Sequence, residues 1–299
     1  MASVVFYFQV HQPFRLRRYS IFDSDTNYFD NWKNEEICLK VAEKCYRPMT
    51  RVLRELVDMH QGRFRISFSL TGVVIEQFQR WAPDVLDMFR DLAATGCVEF
   101  TAETYYHSLS FLYNRDEFVE QTQKHADLME EMFGRRPRVF RNTELTYNND
   151  VAKVVEDMGF SAILTEGADH ILGYRSPNFV YNPPNCSSLR MLLKNYRLSD
   201  DIAFRFGDRN WREWPLTTER FAQWVDQING CGYVCNLFMD YETFGEHQWA
   251  DTGIFDFLRE LPEQVFQHDG DDFKTPSECA AAYDASEAPQ YIVPGYPVL

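Results

Sequence analysis

Two stretches of this sequence carry acidic side chains in settings suited to chemistry. At 234–249, VCNLFMDYETFGEHQW, an apolar run of strand length ends in Asp240 and Glu242, with His247 close behind. Carboxylates two residues apart stand on one side of the chain if it stays extended, and Gly245 then lets the backbone turn away. Tyr241, Phe244 and Trp249 surround the pair, which marks it as a site rather than a solvated acidic loop. The second stretch, RNTELTYNN at 141–149, places Glu144 just past another short run, with Arg141, Asn142 and Tyr147 close enough in sequence to donate hydrogen bonds. A carboxylate held that way stays ionised at neutral pH, as a nucleophile must. With Asp240 as partner, Glu144 completes the pair of carboxylates that a glycosidase uses.

Around these acids lie groups suited to sugar hydroxyls. His11 and Gln12 follow the first apolar run, and His107 ends the stretch ETYYH. Trp211 and Trp214 share the polar stretch GDRNWREWP. Two indoles are costly to expose without a use, so at least one of them is expected to flank a sugar groove. A metal site would require several of His11, His107 and His247 to join Asp240, and neither an HExxH motif nor clustered Cys/His spacing supports it. The expectation is therefore a reaction with neither metal nor other cofactor.

The composition narrows the partners. A formal net charge of -15 repels phosphates, arguing against nucleic acid and anionic membrane and in favour of a neutral substrate. The 25 Phe, 16 Tyr and 6 Trp exceed what a core alone usually needs, and some are expected to line a groove. Seven cysteines, an odd number without paired metal spacing, point to a reducing compartment. No apolar run approaches membrane-spanning length, and the first residues read as a strand rather than a signal peptide. A cytoplasmic location follows as the expectation.

The elements that must position these residues are legible as a period. Apolar runs of strand length fall at 4–10, 64–70, 98–102, 138–141, 160–164, 189–194 and 234–239. Stretches with apolar residues at helical spacing fall between them at 35–59, 73–94 (with Pro83 as a break), 117–133, 149–158 and 221–228, and one more follows at 251–266. A polar loop is expected over 173–188. Seven strands alternating with helices indicate an α/β chain built of βα units. In a barrel, residues just past the strand ends meet at one mouth, which would gather His11, Glu103, His107, Glu144, Glu166, Asn195 and Asp240. A doubly wound open sheet gives a similar alternation with its site at one crevice.

The motifs themselves carry a resemblance. HQPFR near the start, GCVEF followed by AETYYH, FRNTELTYNN, and MDYETFGEH resemble, in order, the successive signature regions of glycoside hydrolase family 57, most closely its intracellular α-amylase-like members. The likeness runs over residues 1–280 and includes TPSEC at 275–279. It implies an incomplete seven-stranded, TIM-barrel-like (β/α)7 barrel acting on α-glucans, such as maltooligosaccharides, with retention of configuration. By the same resemblance Glu144 is the nucleophile and Asp240 the acid/base, while His11, Glu99 and Glu242 shape or line the site. Family members continue beyond the barrel into a helical segment. Residues 1–270 are accordingly read as the catalytic barrel, and 271–299 as a C-terminal tail equivalent to a cut-short helical segment. Two other readings stand beside this one: a metal-dependent polysaccharide deacetylase on a similar barrel, and a non-catalytic glucan-binding protein. Hydrolysis and transfer to a second glucan share one intermediate, so both stand, with oligomeric state left open.

Overall fold

The computed structural model describes residues 2–283 and 288–293. The strands are β1 (Ser3–Val10), β2 (Ile66–Leu70), β3 (Val98–Phe100), β4 (Val139–Arg141), β5 (Ala162–Glu166), β6 (Val180–Tyr181), β7 (Arg190–Lys194), β8 (Val234–Asp240) and β9 (Asp272–Phe273). β1 lies between β2 and β8, and β3 follows β2, all parallel. β4, β5 and β7 form a second parallel run. Two seams join the runs. At one, Ala102 N–H donates to Val139 O and Arg141 N–H to Ala102 O, both at 2.8 Å. At the other, Asn195 N–H donates to Asn236 O at 2.9 Å, and the Asn236 side chain donates to Leu193 O at 2.8 Å. The seven anticipated strands thus go round an incomplete (β/α)7 barrel, with regular pairing thinned at both seams.

Alternation along the strands decides what faces inward. Val5, Tyr7, Val139, Ala162, Leu164, Leu192, Val234 and Phe238 form one buried cluster inside the barrel. Their neighbours Val4, Phe6, Phe8, Ile66, Phe68 and Leu237 belong to the larger core beneath the surrounding helices. The same alternation, carried two residues further, brings Gln9, Arg141, Glu166, Lys194 and Asp240 to the mouth.

The helical stretches fall close to expectation. Asn31–Val41 and Arg47–Met59 are joined by a single π turn, and Pro83 divides Gly72–Trp81 from Pro83–Ala94. Arg115–Phe133 begins where the Asn114 side chain accepts from the backbone of Asp116 and Glu117. Helix Tyr196–Ala203 follows β7 and precedes the stretch GDRNWREWP. It is short, and its start depends on Asn195, whose side chain caps Leu198 N while its backbone bridges to β8. The expected polar loop at 173–188 contains β6, which pairs antiparallel with β7 and is too short for its alternation to show in sequence.

Past residue 270, β9 pairs with β1, and helix Pro276–Ala282 is held by a capping box between Thr275 and Glu278. Both pack onto the barrel, the helix contributing Cys279 to the interior cluster. Residues 294–299, the last part of the proline-rich end, lie outside the described residues.

Candidate active site

A cavity of about 220 Å³ opens at the C-terminal ends of the strands, with Glu144 and Asp240 both on its wall. Asp240 is the last residue of β8 and is exposed. Glu144 sits in a tight turn after β4 with a left-handed backbone, φ +54°, and its side chain is 68% exposed. Sparsely populated backbone of this kind in a non-glycine residue costs free energy and is retained mostly at functional sites. Glu144 Oε1 lies 3.2 Å from His107 Nε2. The His107 hydrogen bond, acting against burial and helped by Arg141, holds the Glu144 carboxyl below its ordinary range.

His107 is gripped from its other side by Glu103, whose Oε2 lies 2.8 Å from His107 Nδ1. Glu103 is fully buried. It accepts from Gln9 Nε2 at 2.8 Å and from the Ser69 hydroxyl, and Gln9 in turn accepts from the Tyr7 hydroxyl at 2.6 Å. Burial pushes the Glu103 carboxyl up, but the His107 hydrogen bond and the charges of His107 and Arg141 outweigh it and hold it at about 2. His11 stacks on His107, ring centroids 4.1 Å apart, with its Nδ1 3.0 Å from the Thr71 hydroxyl. Burial, and then the neighbouring His107, lower His11 to about 4, so it is neutral in use.

The opposite wall is also charged. Lys194 Nζ lies 3.8 Å from Glu166 and 3.6 Å from Asp200. Arg141 lines the cavity with only 6% of its surface exposed, and its Nε and Nη1 find no hydrogen-bond partner among the described residues. Its charge acts on Glu103 and Glu144 through space. Glu166 lines the cavity as its place past a strand end led one to expect, whereas Arg141 and Lys194 are residues that a reading of motifs passes over as site residues. Counting inward-facing positions two by two to each strand's end would have found them.

The remaining sequence-derived site residues separate into two groups. His247 lines the cavity and is exposed. Glu242 does not share Asp240's side, because the chain turns into a 3-10 helix, Tyr241–Thr243, directly after the strand. The period of two ends there, and Glu242 goes into the protein, 6% exposed, accepting from the Tyr46 hydroxyl. Burial raises its carboxyl to about 7, opposed by the Tyr46 hydrogen bond and reinforced by the charge of Asp240. Gly245 lets the loop return as expected. Its φ is +107°, and a Cβ there would meet Lys44 O at 1.9 Å. Gln12 is buried beside this loop, its side chain accepting from Arg15 at 2.9 Å and its backbone carbonyl from Gln77 at 2.6 Å.

Three residues lie away from the mouth. Glu99 faces inward but four residues before Glu103, at the barrel's other end, where it accepts from the Ser277 backbone at 2.9 Å and from the Ser277 hydroxyl. Trp211 packs on the helix-side core against Trp224, ring centroids 6.4 Å apart. Trp214 is 42% exposed with Arg209 over its ring. Neither indole is on the cavity wall, so the expected sugar-flanking tryptophan finds no support there.

A barrel of βα units with acidic side chains converging at its C-terminal mouth defines the class, a βα barrel with its candidate site at the strand ends. The chain belongs to glycosyl hydrolase family 57, which it matches over residues 5–294. A curated Methanocaldococcus jannaschii protein named "Putative alpha-amylase" is 47% identical over 270 residues, 89% of this chain and 56% of its own length. The chain thus spans about half of that relative. Among solved structures, the 4-alpha-glucanotransferase of Thermococcus litoralis superposes with a TM-score of 0.72 at 16% identity, over 94% of this chain and 40% of its own. A GH57-type branching enzyme of Pyrococcus horikoshii gives 0.69 at 16% identity, over 98% and 72%. A Mycobacterium smegmatis structure titled as a putative polysaccharide deacetylase gives 0.61 at 17% identity, over 98% and 93%. At these identities the likeness is one of fold.

Proposed function

We propose that this chain is the catalytic barrel of a retaining, α-glucan-active enzyme that cleaves α-1,4-glucosidic bonds, by hydrolysis or by transfer to a second glucan. The observation that carries the reading is the placement of Glu144 and Asp240 on one cavity, with the Glu144 carboxyl held below its ordinary range by His107. Glu144 attacks the anomeric carbon while Asp240 gives its proton to the leaving oxygen. Asp240 then takes a proton from water or an acceptor hydroxyl, which displaces Glu144 from the sugar. The family membership supports the chemistry, and the names of the glucanotransferase and branching-enzyme neighbours agree with an α-glucan as substrate.

Seven cysteines that form no disulfide among the described residues support a reducing, cytoplasmic setting. No helix among the described residues is long and apolar enough to cross a membrane.

The test is product analysis on a maltooligosaccharide, with and without an acceptor sugar and in the presence of a strong chelator. Retained configuration and chelator-insensitive turnover are expected, with Glu144→Gln slower by orders of magnitude because an amide cannot attack the anomeric carbon. Chelator-sensitive release of acetate from an acetylated glycan would favour the deacetylase reading instead. Tight binding without any product would favour a glucan-binding protein.

A further inference from the structure

His107 has a role that substrate binding does not describe. Its two ring nitrogens face two carboxylates, Nδ1 at 2.8 Å from Glu103 and Nε2 at 3.2 Å from Glu144. An ionised carboxylate only accepts hydrogen bonds, so a ring between two of them carries a proton on each nitrogen and is a cation. Neither nitrogen is left for a sugar hydroxyl. The ring plane is fixed by stacking on His11, tilted by 24°, and His11 is anchored by Thr71 at the start of the next helix. Both His107 and Glu144 have left-handed backbones, φ +55° and +54°, so local strain accompanies their meeting. Glu103 has no exposure and three side-chain contacts, with Gln9, Ser69 and His107. A buried carboxylate is kept only where charge and hydrogen bonds offset its desolvation.

We infer that Glu103 and His107 are positioning residues for Glu144: buried Glu103 fixes the His107 imidazolium, which holds the Glu144 carboxylate in one orientation and ionised. This rests on the reading of Glu144 as nucleophile. The groups facing His107 come from the ends of three strands, β1, β3 and β4, with one helix behind them. Glu103 and Glu144 favour its charge, while Arg141 opposes it and His11 lies against its face. His125, on helix Arg115–Phe133, reaches Glu103 from behind, accepting from its backbone N–H at 3.2 Å. Burial works against the charge on His107, and the two carboxylates outweigh it, raising the ring above the ordinary histidine range. The clamp is therefore present below that raised value and is lost as pH rises through it.

The experiment has one readout that needs no turnover. Ring nitrogen-15 NMR of the whole chain, labelled at histidine, follows His107 in the wild type, Glu103→Gln and Glu144→Gln, with His107→Gln assigning the signal by its disappearance. The expected result is a doubly protonated His107 at neutral pH that titrates above the ordinary range. Glu103→Gln should lower that titration by about one unit or more. Glu144→Gln lowers it less, and its exposed side chain leaves folding intact should the buried Glu103 variant fail to fold. In turnover of a maltooligosaccharide, His107→Gln should lower kcat about a hundredfold with KM within about twofold, as a misheld reacting group does. A His107 signal at or below the ordinary range, or one that ignores both carboxylate substitutions, overturns the clamp whatever the activity. An undiminished Glu144→Gln enzyme overturns the nucleophile reading and the positioning role with it, even where the NMR shows His107 charged.

Discussion

The Tyr46 hydroxyl donates a 2.5 Å hydrogen bond to Glu242 Oε1 inside the protein, two residues past the exposed Asp240. The carboxyl it meets is raised to about 7 by burial. In the unfolded chain the same group loses its proton near its ordinary value of 4.5. Its contribution is thus fully present below about pH 4.5 and is lost as pH rises through about 7. At about 1.4 kcal/mol per unit, the wild type should be less stable at pH 8 than at pH 5 by on the order of 3 kcal/mol from this group. Glu242→Gln, neutral throughout, should flatten that difference. Urea unfolding of both proteins at the two pH values measures it, and equal pH dependences would refute the protonated Glu242.

Asp240→Asn should slow cleavage of a maltooligosaccharide by roughly 10²–10⁴-fold, the usual worth of a positioned acid. On a glucosyl fluoride, whose leaving group needs no proton, the loss should be much smaller. Steady-state rates on the two substrates decide it. An equal loss on both would remove Asp240 from the acid role.

Trp211 and Trp214 should divide by packing. Trp211→Ala removes a ring that contacts Trp224 and should cost about 2 kcal/mol. Trp214→Ala, at a 42% exposed side chain, should cost well under that. Calorimetry with maltooligosaccharide should find affinity unchanged within about twofold for both. A larger loss for either would return that indole to the sugar groove.

Glu99→Gln should act on stability alone. It weakens the contact with Ser277 at the base of the barrel, at a cost of about 1 kcal/mol. Backbone amides of helix Pro276–Ala282 should exchange faster in the variant, while kcat and KM stay unchanged. A fall in kcat without loss of stability would show that the site reaches Glu99 after all.

The parts that depend on local pattern were legible in the residues. All seven barrel strands are visible as apolar runs, because a strand covered on the outside by helices and on the inside by the barrel core has little room for polar residues. Pro83 marks its break and Gly245 its turn for reasons internal to the backbone. The acids at the ends of β4 and β8 are readable because a strand end in a βα unit is a defined place. The tertiary structure decided the rest. Whether Glu242 follows Asp240 to the mouth depends on a three-residue turn that ends the alternation, and its partner Tyr46 lies 196 residues away in sequence. Glu99 and Glu103 face the same interior, yet only Glu103 reaches the site. Their four-residue separation, from β3 into the segment just after it, carries them to opposite ends of the barrel. The two nitrogens of His107 find Glu103 in their own loop but Glu144 only across the seam between β3 and β4. Spacing in one chain can announce a histidine near a carboxylate; the closing of the barrel alone sets which second carboxylate meets its other nitrogen.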